Sequence, residues 1–433
     1  MDLSRYSEAL DELELTRVIG KVVQVVGLVI EARIQNVCIG ELCEIEVSDS
    51  QRILGETVGF RKDIVLLMPL GQLLGIQPGA RIFPLKRPLS VKVGPKLLGR
   101  VLDGLGEPMD EKGPLVYDEL YPIDRDPPSP ISRPRISEPL KTGVKAIDST
   151  LALGQGQRIG IFAGSGVGKS TLMGMLARNC EAEINVIALI GERGREVKDF
   201  IEESLGPEGL KKSIVICATS DQPPLIRLKG ALVATAISEY FRDQGKTVFF
   251  MMDSVTRFSM AQREIGLATG EPPTTKGYTP SVFAMMPRLM ERAGTSEKGS
   301  ITAIYTVLVE GGDMDEPIAD TARGILDGHI LLSRDLASKN HYPCIDVGPS
   351  VSRLMSVVAS EEHKKAAGQL REVLAKYAEA EDLINIGAYV KGSNPKIDYA
   401  IEKIDAVNAL LQQRTDENIP FEEVVDELEA IFR

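Results

Sequence analysis

The chain has 433 residues, of which 43% are hydrophobic and 26% charged, so we expect a globular protein with two or three domains. A net charge of −12, few aromatic residues and no Trp argue against nucleic acid as a partner. Five widely spaced cysteines without a C-x-x-C pair indicate neither a disulfide framework nor a zinc site and favour the cytoplasm. No apolar run approaches the length of a membrane span, so any membrane association is expected to depend on a partner.

The first residues and the region after them differ in texture. Residues 1–15 place Tyr6, Leu10 and Leu13 at helical spacing among acidic residues, which predicts a short helix that either packs on its own domain or binds a partner. From Val18 to about Pro84, short β-rich runs are separated by Gly, Pro and Asp at close intervals. This spacing predicts a small closed β domain, and we assign residues 1–90 to it.

Two connecting stretches follow the predicted β domain. Residues 99–110 are rich in Gly and Asp and predict turns. Residues 126–140 combine several prolines, which interrupt regular structure, with several arginines. Because acidic residues lie nearby and the whole chain is acidic, we interpret this stretch as a pinned loop or a subunit contact rather than a nucleic-acid site.

The middle of the chain alternates apolar strands with helices, which is typical of a parallel sheet covered on both faces. We assign residues 91–357 to this domain and residues 358–433, where the pattern becomes helical, to a C-terminal helical domain. The predicted strands are 159–162, 186–190, 214–217, 248–252 and 301–306, and the predicted C-terminal helices are 364–386, 397–412 and 421–432.

The stretch 159–179 predicts a strand, a glycine-rich turn and a helix. Successive backbone N–H groups can approach a polyphosphate only where no Cβ intervenes, and the helix N-terminus adds a partial positive charge. Lys169 would supply a full charge to the outer phosphates and Ser170 a hydroxyl to Mg²⁺. The first glycine of the usual G-x-x-x-x-G-K-[ST] pattern is Ala163 here. The predicted nucleotide-binding residues are Gly164, Ser165, Gly166, Val167, Gly168, Lys169, Ser170 and Thr171, with ATP and Mg²⁺ as ligands.

Two carboxylates follow apolar strands. Glu192 comes after the strand VIALI, at the edge of a parallel sheet where ligands bind. We predict that it orients the attacking water. Considered without the other motifs, Glu192 could equally be a surface glutamate in a salt bridge. Asp253 ends the apolar run TVFFMMD and is a candidate to hold Mg²⁺ through water. Arg257, one helical turn later, either reaches the γ-phosphate region or closes the strand end by an ion pair.

Taken together, the pieces AGSGVGKST, ALIGERGRE, MMDSVTRF, ERAG, ITAIYTVLVEGGDMDEPIAD, ILDGHILLSR and NHYPCIDVGPSVSR resemble the ATPases related to the catalytic subunits of rotary ATP synthases, specifically the flagellar and type III protein-export ATPases. The resemblance extends from about Gly20 to the C-terminus. It implies an α/β fold in which a P-loop, RecA-like parallel sheet domain lies between a small N-terminal β-barrel and a C-terminal helical domain.

The resemblance also implies roles for single residues. Lys169 and Ser170 would bind phosphates and Mg²⁺, Glu192 would be the catalytic carboxylate, and Asp253 would hold Mg²⁺ through water. Tyr342 matches the tyrosine that stacks on adenine, and Arg353 matches an arginine finger that reaches the neighbouring subunit's site, which makes a ring the active form. Two further candidate catalytic residues are Arg193, beside Glu192, and Arg257. Cys344 stands where the family usually has a small residue or proline, and we expect only a packing change there.

Three functions follow from the resemblance. The first is a hexameric export ATPase that releases chaperones and delivers unfolded substrates to a membrane export gate, with export-apparatus regulator and stalk proteins as further partners. Such a protein is cytoplasmic and lies on the inner membrane through its partners. The others are a rotary ATP synthase subunit and a subunit that binds but does not hydrolyse nucleotide; Glu192 argues against the last. The stretch INIGAYVKGSNPKIDYAI is closer to flagellar ATPases than to those of injection devices, so we predict a flagellar protein.

Overall fold

A computed structural model describes residues 19–48 and 50–433, so the helix predicted for residues 1–15 lies outside the described residues. The described chain forms a small β-barrel, a domain built on a mostly parallel sheet, and a C-terminal helical region, in that order. This confirms the predicted fold class. The domain limits 1–90, 91–357 and 358–433 stay predictions.

The barrel is built from six antiparallel strands within the described residues 20–88, and it closes in the order β1-β2-β5-β4-β3-β6. Closure pairs the strand edges that an open sheet would expose. Alternate residues such as Ile30, Ile45 and Leu67 point inward and are fully buried. The strands are β1 (Gly20–Val26), β2 (Val29–Arg33), β3 (Glu41–Ser48), β4 (Gln51–Arg61), β5 (Ile64–Pro69) and β6 (Arg81–Pro88).

Short strands connect the barrel to the main sheet. A two-stranded sheet joins β7 (Ser90–Val93) to β9 (Glu119–Pro122), and another joins β10 (Pro139–Leu140) to β11 (Leu153–Gly154). Residues 99–110, predicted as a turn-rich connector, contain turns and also one short strand that the sequence did not predict, because β8 (Val101–Asp103) pairs in parallel with a strand of the main sheet. A strand of three residues is too short for the alternation of buried and exposed side chains to be visible in the sequence.

The main sheet of the described residues has nine strands in the order β19-β18-β12-β17-β15-β13-β14-β8, with β16 beside β17. All pairs are parallel except β18 with β19 and β16 with β17. The five predicted strands are confirmed and extend slightly beyond the predicted ends. The strands not yet given are β12 (Arg158–Ala163), β13 (Ile184–Ile190), β14 (Ser213–Ala218), β15 (Thr247–Asp253), β16 (Gly294–Thr295), β17 (Ser300–Leu308), β18 (Gly328–Leu332) and β19 (Ile345–Ser352).

Helices cover both faces of this sheet, and the three predicted C-terminal helices are confirmed with small shifts at their ends. The α-helices are α1 (Lys145–Thr150), α2 (Lys169–Asn179), α3 (Gly194–Asp199), α4 (Gly206–Lys211), α5 (Pro224–Asp243), α6 (Val255–Thr269), α7 (Pro280–Met290), α8 (Pro317–Ile325), α9 (Arg334–Ser338), α10 (Met355–Val358), α11 (Glu361–Asn385), α12 (Pro395–Leu411) and α13 (Phe421–Ile431). A π-helix, Phe200–Leu205, joins α3 to α4.

The two faces of the sheet belong to different apolar cores because side chains alternate along each strand. Phe162 of β12 packs in a core with α5 to α8. Its neighbours Ile161 and Ala163 face the other core, which contains α2 together with residues of α11, α12 and α13. The C-terminal helices therefore share one core with the helix that follows the glycine-rich turn.

The proline-rich stretch 126–140 agrees with the first of its two predicted alternatives, a pinned loop, up to the short strand β10 at its end; the alternative of a subunit contact stays a prediction. Nη1 of Arg133 donates a hydrogen bond to the Ala293 carbonyl at 2.7 Å, and Nη2 donates to the Glu291 carbonyl.

Among the described residues, none of the helices is both long and apolar enough to cross a bilayer.

Candidate active site

The glycine-rich turn connects β12, which ends at Ala163, to α2, which begins at Lys169. Gly166 and Gly168 have φ angles of 79° and 80°, a region that side chains with a Cβ rarely adopt. The turn can therefore present its backbone N–H groups at the start of a helix, where an anion is stabilised. Ala163 is fully buried in the core beside α2, so its methyl group replaces the usual glycine hydrogen without entering the turn.

Lys169 lies between two carboxylates. Its Nζ is 2.5 Å from Oδ1 of Asp253 and 3.5 Å from Oε1 of Glu192. The three residues meet because β12, β15 and β13 are parallel and their carboxyl ends lie at the same edge of the sheet. Burial disfavours the charged lysine, but the two carboxylates outweigh this effect and the pKa of Lys169 is raised. Lys169 is thus held in its charged form at the start of α2, where the glycine-rich turn ends.

Glu192 follows β13 after a single glycine, and its side chain is only 14% exposed. Burial raises the pKa of Glu192 to about 7; repulsion from Asp253 adds to the increase and Lys169 opposes it. A carboxylate with a pKa near neutrality is suited to exchange a proton with water. The alternative of a glutamate in a surface salt bridge does not describe this buried residue.

The raised pKa of Glu192 makes a prediction about stability. A carboxyl whose folded-state pKa is raised stabilises the fold while protonated, and this contribution is lost as pH rises from about 4.5 through about 7. Without nucleotide, Glu192→Gln should therefore become more stable than the unmodified chain as pH rises from 5 to 8, by about 1–3 kcal/mol at pH 8 after allowance for solvent screening. Thermal unfolding midpoints across this pH range measure the difference.

The comparison variant is Glu196→Gln, which removes a neighbouring carboxyl whose side chain is 49% exposed and keeps Glu192. Because Glu196 contributes to the raised pKa of Glu192, its removal should produce the same pH-dependent gain in stability, but a smaller one. A stability difference for Glu192→Gln that stays constant with pH would contradict the raised pKa.

Asp253 is the last residue of β15 and is buried. Besides Lys169, its Oδ1 accepts a hydrogen bond from Oγ1 of Thr306 at 2.6 Å. Thr306 lies on the adjacent β17 and is fully buried. Sequence reasoning missed this residue, although its position as the last polar residue of a predicted strand was a usable signal. It fixes the Asp253 carboxylate toward the turn.

The two additional arginines lie in different surroundings. The side chain of Arg193 is 79% exposed and pairs with Glu196 at 3.2 Å, outside the Lys169 group. Arg257 packs over Gly191, and its Nε is buried without a hydrogen-bond partner. Within residues 19–48 and 50–433 Arg257 forms no ion pair, so the alternative of an ion pair that closes the strand end is not observed. The stem of its side chain lies against Gly191, the residue that precedes Glu192.

Tyr342 lies beside the last glycine of the turn. A methyl group on Gly168 would be 3.8 Å from Cε1 of the Tyr342 ring, and the tyrosine is 44% exposed. The ring borders a cavity of about 90 Å³. Other residues of its wall include Val167, Thr171, Leu332, Cys344 and Gln413. The Tyr342 ring thus forms one side of a small, mostly apolar slot beside the glycine-rich turn.

Arg353 is remote from its own glycine-rich turn. It follows Ser352, which pairs with Gly328 at the amino end of β18, whereas the turn leaves the carboxyl end of the neighbouring β12. Arg353 is exposed and borders an open groove with Asp320, Arg323 and His329. The structure therefore does not bring Arg353 together with Lys169, Glu192 and Asp253 of the same chain.

Arg334 is a further residue that sequence reasoning missed. It begins α9, directly after the capping residue Ser333 that follows β18, and a methyl group on Gly164 would lie 3.1 Å from its Nη2. Within the described ranges 19–48 and 50–433 its side chain forms no hydrogen bond or ion pair. The motif ILDGHILLSR places it at the end of a strand, which was a signal for a cation near the phosphates.

Three family models match successive parts of the chain. Residues 22–86 match the β-barrel domain of the ATP synthase alpha/beta family, and residues 143–352 match the nucleotide-binding domain of the same family. Residues 359–430 match the C-terminal domain of the type III secretion ATPase EscN. The two ATP synthase matches cover nearly all of the barrel and every strand of the main sheet except β8.

Full-length relatives give the same result. The chain is 56% identical to the flagellum-specific ATP synthase of Bacillus subtilis, over 95% of this chain and 94% of the relative, and 53% identical to the type 3 secretion system ATPase of Xanthomonas euvesicatoria, over 97% and 95%. The assembled ATPase EscN of enteropathogenic E. coli, also solved with its central stalk EscO, superposes with TM-scores of 0.91 and 0.89 at 44% identity, over 96% of this chain and all of EscN. The chain therefore belongs to the family of flagellum-specific and type 3 secretion system ATPases.

Proposed function

We propose that this chain hydrolyses MgATP in a homohexameric ring and thereby energises flagellar-type protein export. The observation that supports this most is the position of Lys169, which is held charged between Glu192 and Asp253 at the mouth of the glycine-rich turn. In this proposal, residues from Gly164 to Thr171 bind the phosphates and Tyr342 stacks on adenine. The γ-phosphate then lies beside a carboxylate with a pKa near 7.

The residues present fit a magnesium ion that arrives with ATP. Within residues 19–48 and 50–433, no group of three or more His, Cys, Asp or Glu side chains could hold a metal ion alone. Proteins commonly bind Mg²⁺ with one or two side chains plus substrate phosphates, and Ser170 and Asp253 are the side chains that would hold it here. When bound, Mg²⁺ neutralises negative charge on the phosphates.

The chain's own groups account for the remaining chemistry. On binding ATP, Lys169 exchanges its contact with Asp253 for phosphate oxygens. Glu192 accepts a hydrogen bond from a water and orients its oxygen toward the γ-phosphorus. The new P–O bond forms as the bond to the bridging oxygen of the leaving ADP breaks, and the water proton passes to Glu192 or a phosphate oxygen. In this proposal Arg257, whose Nε has no partner among the described residues, contacts the γ-phosphate.

We further propose that Arg353 acts on the nucleotide of a neighbouring subunit, because it lies at the opposite end of the sheet from its own turn. Arg353→Ala and Lys169→Ala chains should each be inactive alone. In rings mixed from equal amounts, about a quarter of the interfaces pair an intact turn with an intact arginine, so ATPase activity should return to about a quarter of the unmodified rate. Phosphate release from rings of verified mixed composition measures this.

The matched control is Arg323→Ala, which removes a guanidinium in the same groove that is already paired with Asp320 at 2.8 Å. Rings mixed from Arg323→Ala and Lys169→Ala chains should have no more ATPase activity than rings of Arg323→Ala alone. Mixed rings of Arg353→Ala and Lys169→Ala that stay inactive would mean that the site is not shared between subunits.

The biological setting is also a proposal. EscN has been solved with a central stalk, EscO, and we propose that this chain likewise works with a stalk and a regulator. In this proposal it receives chaperones together with their substrates. These partners hold it at the inner membrane, beside an export gate. The alternatives are an injection apparatus, which the EscN likeness favours, and a rotary ATP synthase-type subunit. Deleting the gene and counting flagellar filaments separates flagellar export from an injection apparatus: filaments should be lost in the first case and kept in the second.

A further inference from the structure

The segment after α12 connects the C-terminal helices to the cavity beside Tyr342 and Val167, which we call the base cavity. Gln413 lies in the wall of that cavity and is only 6% exposed. Its backbone N–H donates a hydrogen bond to the carbonyl of Tyr342 at 3.0 Å. One residue of the C-terminal region is therefore bonded directly to the tyrosine beside the glycine-rich turn.

The side-chain amide of Gln413 is also fully engaged. Its Oε1 accepts from the backbone N–H of Lys145 at 2.9 Å, at the start of α1. Its Nε2 donates to the carbonyls of Gly143 at 2.9 Å and Glu417 at 3.0 Å. A buried amide with acceptor and both donors satisfied fixes the groups around it, because the loss of any bond leaves a buried polar group unpaired.

The same acceptors are bonded to the helix that follows the turn. Nδ2 of Asn179, the last residue of α2, donates to the Glu417 carbonyl at 3.1 Å and approaches the Gly143 carbonyl at 3.4 Å. Arg178 of α2 donates to the Thr415 carbonyl at 2.7 Å. The end of α2 and the segment that holds Tyr342 are thus one hydrogen-bonded unit, with Gln413 at its centre.

We propose that Gln413 is a positioning residue for the nucleotide base: it holds Tyr342 against the glycine-rich turn and ties the base cavity to the C-terminal helical region. This inference rests on the proposed function, in which Tyr342 stacks on adenine. The phosphates are bound by different groups, at the start of α2. The contribution of Gln413 to binding therefore depends on whether the ligand carries a base.

The test compares two ligands on the full-length chain. Gln413→Leu keeps the bulk and the backbone hydrogen bond to Tyr342, but it removes the three side-chain hydrogen bonds that fix the Gln413 backbone. The Tyr342 segment is then bonded to a backbone that is free to shift. We expect the Kd for MgATP to rise about tenfold, the effect of losing about one net hydrogen bond, while the Kd for magnesium tripolyphosphate, which has no base, stays within about twofold. Titration calorimetry measures both. A control is Gln412→Leu, at an exposed neighbour whose amide only approaches His341 at 3.4 Å; it should change neither constant.

Two results would overturn the proposal. Gln413→Leu could raise the Kd for MgATP and the Kd for magnesium tripolyphosphate by the same factor, which would show general damage to the site, or it could change neither Kd. If Gln413→Leu does not fold, Gln413→Met takes its place, since its unbranched side chain follows the path of glutamine and makes none of the three hydrogen bonds; the same base-dependent loss is expected. Tyr342→Ala, measured in parallel, separates this inference from the proposed function. Unchanged ATP affinity in Tyr342→Ala would refute adenine stacking, whatever Gln413→Leu does.

Discussion

Lys169→Ala is expected to reduce MgATP turnover by at least about a thousandfold. The lysine is the only full positive charge on the glycine-rich turn, and in the structure it lies between Asp253 and Glu192. Its removal deletes the cation that binds the outer phosphates. It also leaves two carboxylates unopposed at the place where a triphosphate must enter, so binding and chemistry are both lost. Steady-state phosphate release at saturating protein concentration measures the effect.

The matched control for this prediction is Lys198→Ala. Lys198 lies on α3, its side chain is 71% exposed, and it pairs with Glu202 at 3.7 Å. Its loss should leave turnover within about twofold, because an exposed ion pair contributes little. A near-normal rate for Lys169→Ala would show that the phosphates are bound somewhere other than this turn.

Glu192→Gln is expected to bind MgATP with undiminished affinity but to reduce kcat by about a thousandfold. The amide has the shape of the carboxyl but cannot accept a proton from the attacking water. Removal of one negative charge close to Lys169 also makes the pocket less repulsive to ATP. Equilibrium binding and single-turnover hydrolysis, measured on the same preparation, separate the two effects.

Glu196→Gln is the control here too, since Glu196 lies near Glu192 but is half exposed and pairs with Arg193. It should keep most of the activity. If Glu192→Gln instead lost ATP binding, the buried glutamate would have a structural role in holding Lys169 rather than a role in catalysis.

The central group of the site could be predicted from the sequence because it depends on a simple rule. Parallel strands end at the same edge of a sheet, so an apolar run followed by Lys, Glu or Asp predicts which side chains meet. Lys169, Glu192 and Asp253 satisfy this rule, and the structure brings them together. The rule needs only strand type and strand ends.

The same rule could have found Thr306 and Arg334, which stand at the ends of the strand runs ITAIYT and ILLSR. Gln413 could not be predicted in this way, because it reaches the site from the segment after α12. Its position depends on how the C-terminal helices dock, which no local period records. The strand β8 was missed for a related reason: it is paired by β14 and not by a pattern of its own.

The separation of Arg353 from its own glycine-rich turn has a consequence for assembly. If each site is completed by the next chain, every protomer donates an arginine on one side and receives one on the other, which is a head-to-tail contact that must close on itself or grow into a filament. A protomer without this arginine would then inactivate the site of its neighbour while its own turn stayed intact. In a cell that also makes the intact chain, the defect would therefore appear at intact turns as well, and the rate would fall in proportion to the share of variant protomers.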